Sequence, residues 1–290
     1  MKSCMYHVPQ TVTGALSLLA EAAGQAEEAR ILAGGTILVP QIKEGLATPT
    51  RIVNLKRIPN LKRIRLDDTH VHLGPLVTPT ELIRSPIIQE HYPLLVQAAQ
   101  SMAGVQIRNM ATIGGNLCNA APSADLIPAL LVLEAAIQIQ GANEMRLVPV
   151  DQFFGGPGQT VLQPDELVTE IIIPRPASTA SALYFKHALR QAMAIAIVGV
   201  GVALQSRNGL CEEVRIALGA VAPRPMRALK AETALRGQPL TDETITTAAR
   251  LAAEACQPDD DVRSSAWYRR RMVEVLTRRA LQQLKAGGGS

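Results

Sequence analysis

Two short stretches carry the residue types with the clearest chemical use. They are Ala33-Gly34-Gly35-Thr36 and Thr112-Ile113-Gly114-Gly115-Asn116. Glycine lacks Cβ, so its backbone can turn through positive φ and come close to a ligand. Several N–H groups can then converge on one anion, as in a phosphate-binding nest. Two such stretches facing each other would cradle an extended, doubly charged anion. Taken singly, each Gly-Gly pair is weak, because most such pairs are only tight turns. The spacing is neither G-x-G-x-x-G nor a Walker loop.

Other chemistries find little support in the 290 residues. Cys4, Cys118, Cys211 and Cys256 are far apart, with no C-x-x-C pair. They outline neither a zinc site nor an iron–sulfur run, and read as reduced thiols. The five histidines form no H-E-x-x-H pattern. The net charge of +4 comes largely from the C-terminal arginines and lysine (Arg269, Arg270, Arg271, Arg278, Arg279 and Lys285). No nucleic-acid module accompanies them, and only 3% of residues are aromatic, so nucleic-acid binding is not expected. The hydrophobic fraction of 47% supports a sizeable aliphatic core. MKSCMYHVPQ lacks a signal-peptide apolar stretch, and no run reaches the roughly 20 apolar residues of a membrane helix. A cytoplasmic chain without membrane insertion is expected. The closing GGGS reads as a tail outside the fold.

The elements that must position the glycines follow from periodicity. Pro9 to Ala23 reads as a helix capped by Thr11 or Thr13. Ile31-Leu32-Ala33 reads as a buried strand entering the first glycine turn, Thr36 to Lys43 as a helical turn, and Arg51 to Leu55 as a strand. These make a small βαβ-like unit. Ile64 to Leu66 and His70 to Leu73 form a strand pair around Asp67-Asp68. Thr80 to Ile88 and Pro93 to Met102 are helical, and Gly104 to Ala124 is a long loop. Asp125 to Ala136 is a helix, and Ala136 to Gln140 pairs with Met145 to Pro149. Phe153 to Gly158 is a glycine-rich loop, and Glu166 to Pro174 a strand. A boundary falls at Pro174 to Ser178. Beyond it, Ala194 to Leu204 and Cys211 to Gly219 form a hairpin around Asn208-Gly209. Helices follow over Thr241 to Cys256 and Ser265 to Lys285, the latter burying Tyr268, Met272, Val275, Leu276 and Leu284.

The segment from Gln106 to Ala135, QIRNMATIGGNLCNAAPSADLIPALLVLEA, is more specific. Its R-N-x-A-T-I-G-G-N order, with Asp125 nine residues after Asn116 and then an apolar helix, resembles the flavoprotein subunit of carbon monoxide dehydrogenase and the FAD domain of xanthine dehydrogenase. The upstream Ala33-Gly34-Gly35-Thr36, the Asp165-Glu166-Leu167 turn, Tyr184-x-Lys186-x-x-x-Arg190 and Tyr268-Arg269-Arg270 share the likeness, which covers nearly the whole chain. The resemblance implies an α+β fold. A two-part FAD-binding domain over 1–176 (the small βαβ-like subdomain plus a mixed α+β subdomain) would precede a small C-terminal α+β domain over 177–285.

It also implies a flavin site. Ile31, Leu32, Ala33, Gly34, Gly35, Thr36, Ile37 and Leu38 would wrap part of FAD through backbone N–H groups. Thr112, Ile113, Gly114, Gly115 and Asn116 would cradle its pyrophosphate. Met102 would sit against the cofactor, Asp125 would accept from a sugar-like hydroxyl, Val168 would line the site, and Lys186 would lie near the ring. Local sequence offers a plainer role for several of them. Asp125 suits a helix cap, Lys186 the surface, Met102 the core, and Thr112 and Asn116 their own loop. The chain departs from many relatives at Ala194, where they carry an acid, and at Ile195, where some place an aromatic ring.

The implied function is electron transfer through FAD within a molybdenum-containing hydroxylase complex. A large molybdenum-cofactor subunit would hydroxylate the substrate, a small iron–sulfur subunit would deliver electrons, and NAD or another acceptor would take them. No residue here would act as nucleophile or general base. A stand-alone FAD-dependent oxidoreductase and a non-catalytic scaffold subunit are the other two readings.

Overall fold

In the computed structural model, which describes residues 4–177 and 180–287, the chain starts with a parallel sheet. Its elements are β1 (Met5–His7), α1 (Val12–Gly24), β2 (Ala29–Leu32), α2 (Leu38–Lys43) and β3 (Arg51–Asn54). The order is β1-β3-β2 with both pairings parallel, so the expected βαβ-like unit gains an edge strand. Three residues are too few for alternation to mark β1. Thr11 caps α1 by accepting from the Gly14 N–H at 3.0 Å. The Pro9-Gln10 stretch therefore stays outside the helix. Ala26, with φ of 53°, ends the run after it.

The next elements are β4 (Ile64–Leu66), β5 (His70–Leu73), α3 (Pro79–Arg84), α4 (Pro86–His91) and α5 (Pro93–Ser101). The helix expected over Thr80 to Ile88 breaks at Ser85, because a residue before proline is driven out of the helical region. The expected loop from Gly104 to Ala124 contains two short helices, α6 (Val105–Arg108) and α7 (Ile113–Cys118). The second glycine pair thus lies in the first turn of α7, capped by Thr112, rather than in a loop. Then come α8 (Ile127–Val132), β6 (Ala136–Gln140), β7 (Met145–Pro149), β8 (Phe154–Gly156), β9 (Gln159–Thr160) and β10 (Leu167–Pro174). Five strands pair antiparallel in the order β4-β5-β10-β6-β7. Their buried face and α3, α4, α5, α7 and α8 enclose the largest core, around Leu73, Leu82, Leu94, Leu130, Ile137 and Ile171.

The C-terminal part holds β11 (Ala180–His187), β12 (Val198–Arg207), β13 (Leu210–Gly219), β14 (Met226–Arg227), α9 (Leu229–Leu235), α10 (Asp242–Glu254) and α11 (Ala266–Gly287). Ser178 of the expected boundary and the tail beyond Gly287 lie outside the described residues. The four strands are antiparallel in chain order. The strand expected from Ala194 begins only at Val198, and Ala194 and Ile195 belong to the loop before it.

The segment Val198-Gly199-Val200-Gly201-Val202 explains how the two parts join. Its valines face one way, into the core shared with α9 to α11. Its glycines face the other way, beside Gly219 and Ala217 of β13. This flat floor receives α8. A Cβ at Gly201 would lie 3.1 Å from the Pro128 carbonyl oxygen, and one at Gly219 would lie 2.9 Å from Pro128 Cγ. Tyr184, Ala203 and Ala217 accordingly join the core of the first part.

The buried face of α11 is rotated from expectation. Leu276 and Leu284 are buried, but Tyr268, Met272 and Val275 are only half-buried, while Val273, Thr277, Ala280 and Leu281 take core positions. Arg269 sets this register. It is buried and donates to the carbonyls of Ile197 (2.8 Å) and Ala220 (3.0 Å) and to Asp261 (2.7 Å). No helix among the described residues is long and apolar enough to cross a membrane.

Three stability effects follow. Gly201→Val should cost about 1–3 kcal/mol in chemical denaturation by overpacking α8. Gly24→Ala, with nothing within 4 Å of the new methyl, should change stability by less than ~1 kcal/mol. Thr112→Ala should cost about 1 kcal/mol through the lost cap, with Thr112→Ser close to the parent.

Candidate functional site

The two glycine stretches come together, but for a reason that lies between them. A Cβ at Gly34 would sit 2.2 Å from the Met110 carbonyl oxygen and 2.9 Å from Ala111 Cα. Gly34 is therefore where the β2–α2 loop rests on the segment leading to α7. Gly35 takes the turn itself, with φ of 79°. A Cβ at Gly114 would strike Pro75, 2.5 Å from its Cβ and 2.7 Å from its oxygen. Glycine is required in both places so that backbones can pack against each other.

The two stretches differ in what their amides can offer. Among the described residues, no N–H from Ala33 through Leu38 donates to a protein acceptor. In the second stretch the amides from Ile113 to Asn116 are spent. Ile113 donates to the Val77 carbonyl at 2.9 Å, Gly114 to that of Pro75 at 2.9 Å, and Asn116 to that of Thr112 at 2.9 Å. The Gly115 N–H donates to Thr112 Oγ1 at 3.0 Å. The first loop is thus the open donor array. The second stretch brings side chains, among them the buried Asn116 Oδ1, which has no hydrogen-bond partner.

Between them lies a cleft of about 350 Å³. Ile31, Ala33, Gly34, Gly35, Thr36, Ile37 and Leu38 line one side. Thr112, Gly114, Gly115 and Asn116 face them, with Met102 and Val168 also in the wall. Leu32 and Ile113 do not line it, since their side chains turn into the core. The sequence reading missed several residues of the wall, among them Leu76, Leu162, Gln163 and Pro164. Glu166 fixes that rim. It accepts from Arg146 Nε (2.9 Å) and Nη2 (2.8 Å) and from the Gln163 N–H (2.8 Å). Its bond to Arg146 holds its carboxyl below the usual range. The Asp165-Glu166-Leu167 turn was the available signal for this wall. A larger cavity of about 660 Å³, beside Tyr92, Glu134 and Arg215, contains none of the expected site residues.

Asp125 and Lys186 stand outside this lining and are bound to each other. Lys186 Nζ lies 2.9 Å from Asp125 Oδ1, donates to Oδ2 at 3.0 Å, and donates to the Ser101 carbonyl at 3.0 Å. Both side chains are almost completely buried. Burial pushes the Asp125 carboxyl up to about 6, against the opposing pull of Lys186 and Tyr184. The capping role does not occur, because Leu126 holds the N-cap position of α8. Neither is Lys186 a surface lysine. Ser101 precedes Met102, so the pair is one residue away from the cleft wall. Arg108 steadies the same turn by donating to the carbonyls of Met102 (2.8 Å) and Ala103 (3.1 Å).

The loop carrying Ala194 and Ile195 also reaches this turn. Arg190 holds it by donating to the carbonyls of Ala192 (3.1 Å) and Met193 (2.7 Å). A Cβ at Gly104 would lie 2.4 Å from Met193 Sδ. Ile195 itself is exposed.

Comparison with known proteins agrees with this arrangement along the whole chain. Residues 2–176 match the family described as the FAD binding domain in molybdopterin dehydrogenase, and residues 183–284 the CO dehydrogenase flavoprotein C-terminal domain. The chain is 34% identical over 286 residues to the putative xanthine dehydrogenase FAD-binding subunit of Escherichia coli K12, covering 98% of this chain and 97% of that one. It is also 34% identical to the carbon monoxide dehydrogenase medium chain of Hydrogenophaga pseudoflava, covering 95% of each. Among solved structures, carbon monoxide dehydrogenase from Hydrogenophaga pseudoflava superposes with a TM-score of 0.94 at 35% identity, covering 98% of both chains. Quinoline 2-oxidoreductase from Pseudomonas putida 86 superposes with a TM-score of 0.92 at 28% identity, covering 100% of both. The chain belongs to the FAD-binding subunit family of the molybdopterin dehydrogenases, a family of oxidoreductases, and its cofactor is FAD.

Proposed function

We propose that this chain is the FAD-bearing electron-transfer subunit of a molybdenum-containing hydroxylase or dehydrogenase complex. The observation that carries the reading is the row of unpartnered amides from Ala33 to Leu38 on one wall of the cleft. A pyrophosphate with two negative charges needs many donors, and consecutive backbone N–H groups supply them without a counterion. Ile31 to Leu38 would hold that part of FAD. Thr112, Gly114, Gly115 and Asn116 would close over it from the other side, with the open Asn116 amide as a further polar contact. Leu32 and Ile113 would support these segments from the core. Met102 and Val168 would pack on the cofactor, Met102 through a polarizable thioether. Asp125 and Lys186, joined behind Met102, would set the charge beside the flavin ring.

When bound, FAD supplies a centre that exchanges electrons singly or in pairs. The chain itself contributes position and electrostatics. Its amides fix the anionic middle of the cofactor, and its buried ion pair presents no net charge. In this proposal a small iron–sulfur subunit passes electrons to this chain, a large molybdenum-cofactor subunit carries out the hydroxylation, and NAD or another acceptor takes the electrons away. The relatives named medium chain or FAD-binding subunit support the assignment of partners. A cytoplasmic location accords with this role. Residues 1–176 and 177–285 would be its two units, the first holding FAD and the second bringing Lys186 to it.

The chain expressed alone should bind one FAD and release it on denaturation. Gly34→Val should remain folded by circular dichroism yet retain less than a tenth of the flavin absorbance, because the loop can no longer rest on Met110. Full flavin retention in this variant would refute the assignment of the first loop. Co-expression with a molybdenum subunit and a cysteine-rich subunit should yield a stable complex. Turnover of an organic substrate by the isolated chain would instead favour a stand-alone oxidoreductase.

A further inference from the structure

Of the buried polar side-chain atoms outside the cleft that make no hydrogen bond, two belong to one cluster. They are the Tyr184 hydroxyl, a donor, and Asp125 Oδ1, an acceptor that has the Lys186 ammonium 2.9 Å away but no aligned hydrogen bond. Tyr184 and Lys186 are two residues apart on β11 and share a face. The Tyr184 hydroxyl lies 3.0 Å from where a Cβ on Gly199 would be. Gly199 is the direct cross-strand neighbour of Lys186. The missing side chain at 199 therefore opens the space in which the phenol reaches the ion pair. The Tyr184 hydroxyl acts on the Asp125 carboxyl and lowers its proton affinity, and Asp125 in turn raises that of Tyr184. Ser101 Oγ, the nearby hydroxyl, donates to the Ala98 carbonyl and also acts on Tyr184, lowering its proton affinity.

We propose that Tyr184 is a positioning residue of the flavin site, its hydroxyl seated over Gly199 and free to turn and donate to Asp125 so that the Asp125–Lys186 pair stays ionised and aligned. The proposal rests on the reading that this pair borders the flavin. Among the described residues, the titratable groups that act on Asp125 are Lys186 and Tyr184, both on β11. The facing part of α5 adds only the Ser101 carbonyl, α8 has no titratable side chain, and β12 presents Gly199. Burial already pushes Asp125 up to about 6. Loss of one donor to a carboxylate raises it further, by about one pH unit. Below the transition Asp125 is neutral and Lys186 carries an uncompensated positive charge. Above it the pair is neutral.

The test is a pH titration of the visible flavin spectrum of FAD-loaded protein between pH 5 and 8.5. The parent should show a transition near pH 6, and Tyr184→Phe should move its midpoint up by about one unit with FAD still bound. Gly199→Ala keeps the ring but displaces the hydroxyl, and should shift the midpoint the same way; it also covers a Tyr184→Phe protein that fails to fold. Asp125→Asn should abolish the transition. If Asp125→Asn abolishes it while the other two variants leave the midpoint unchanged, Tyr184 only fills space and the proposal fails. If Asp125→Asn keeps the parent's transition, the pair does not border the flavin, and the underlying reading fails with it.

Discussion

The close approach of α8 to the glycine face of the C-terminal sheet is the constraint on which the rest depends. Pro128 sits directly against positions 201 and 219, where any side chain would hold the helix away. That approach brings β11 alongside α5 and α8, and so carries Lys186 onto Asp125 and onto the Ser101 carbonyl. A buried ion pair of this kind adds little net stability, since desolvation offsets attraction, yet removing one partner costs several kcal/mol. Its value is in alignment. It ties residues 61 positions apart, from the two parts of the chain, within one residue of the cleft wall.

The glycines show that one residue type serves separate ends in a single site. Gly34 and Gly114 allow backbones to touch, and Gly35 allows a turn. The consequence for chemistry is an uneven cleft. One wall has amides with no internal acceptor, while the facing helix has satisfied its own. Recognition of an anion then falls on the loop, and the helix serves as a firm backstop with polar side chains. The same division of labour accounts for Leu32 and Ile113, whose backbones follow the site and whose side chains anchor it in the core.

Local signals made much of this legible in the sequence. Short apolar runs ending in Gly-Gly marked β2 and its loop, and Asn208-Gly209 marked the β12–β13 hairpin. The family-like string from Arg108 to Asp125 pointed to the facing wall. Missing were features with weak local signatures or distant causes. Three-residue β1 has no period to detect, and β11 mixes polar and apolar residues with little alternation of burial. The apolar Ala194-Ile195-Ala196-Ile197 stretch looks like a strand, but Arg190 and Arg269 hold it as a loop. Asp125 stands beside an apolar helix, as a cap would, while its actual partner is set by tertiary packing.

The alternation of valine and glycine in β12 also bears on how the chain acquires its shape during synthesis. The strand is buried on both faces, with a different filler for each. A slip of one residue in its pairing would turn valines toward α8 and glycines into the layer of α9 to α11, leaving one side overfilled and the other hollow. Until residue 219 has left the ribosome, α8 has no floor to settle on, and its underside stays uncovered. A nascent chain therefore completes its flavin-holding half only after the β11 to β13 strands of the other half exist. That delay leaves sticky surface open to chaperones or to misassembly for much of translation.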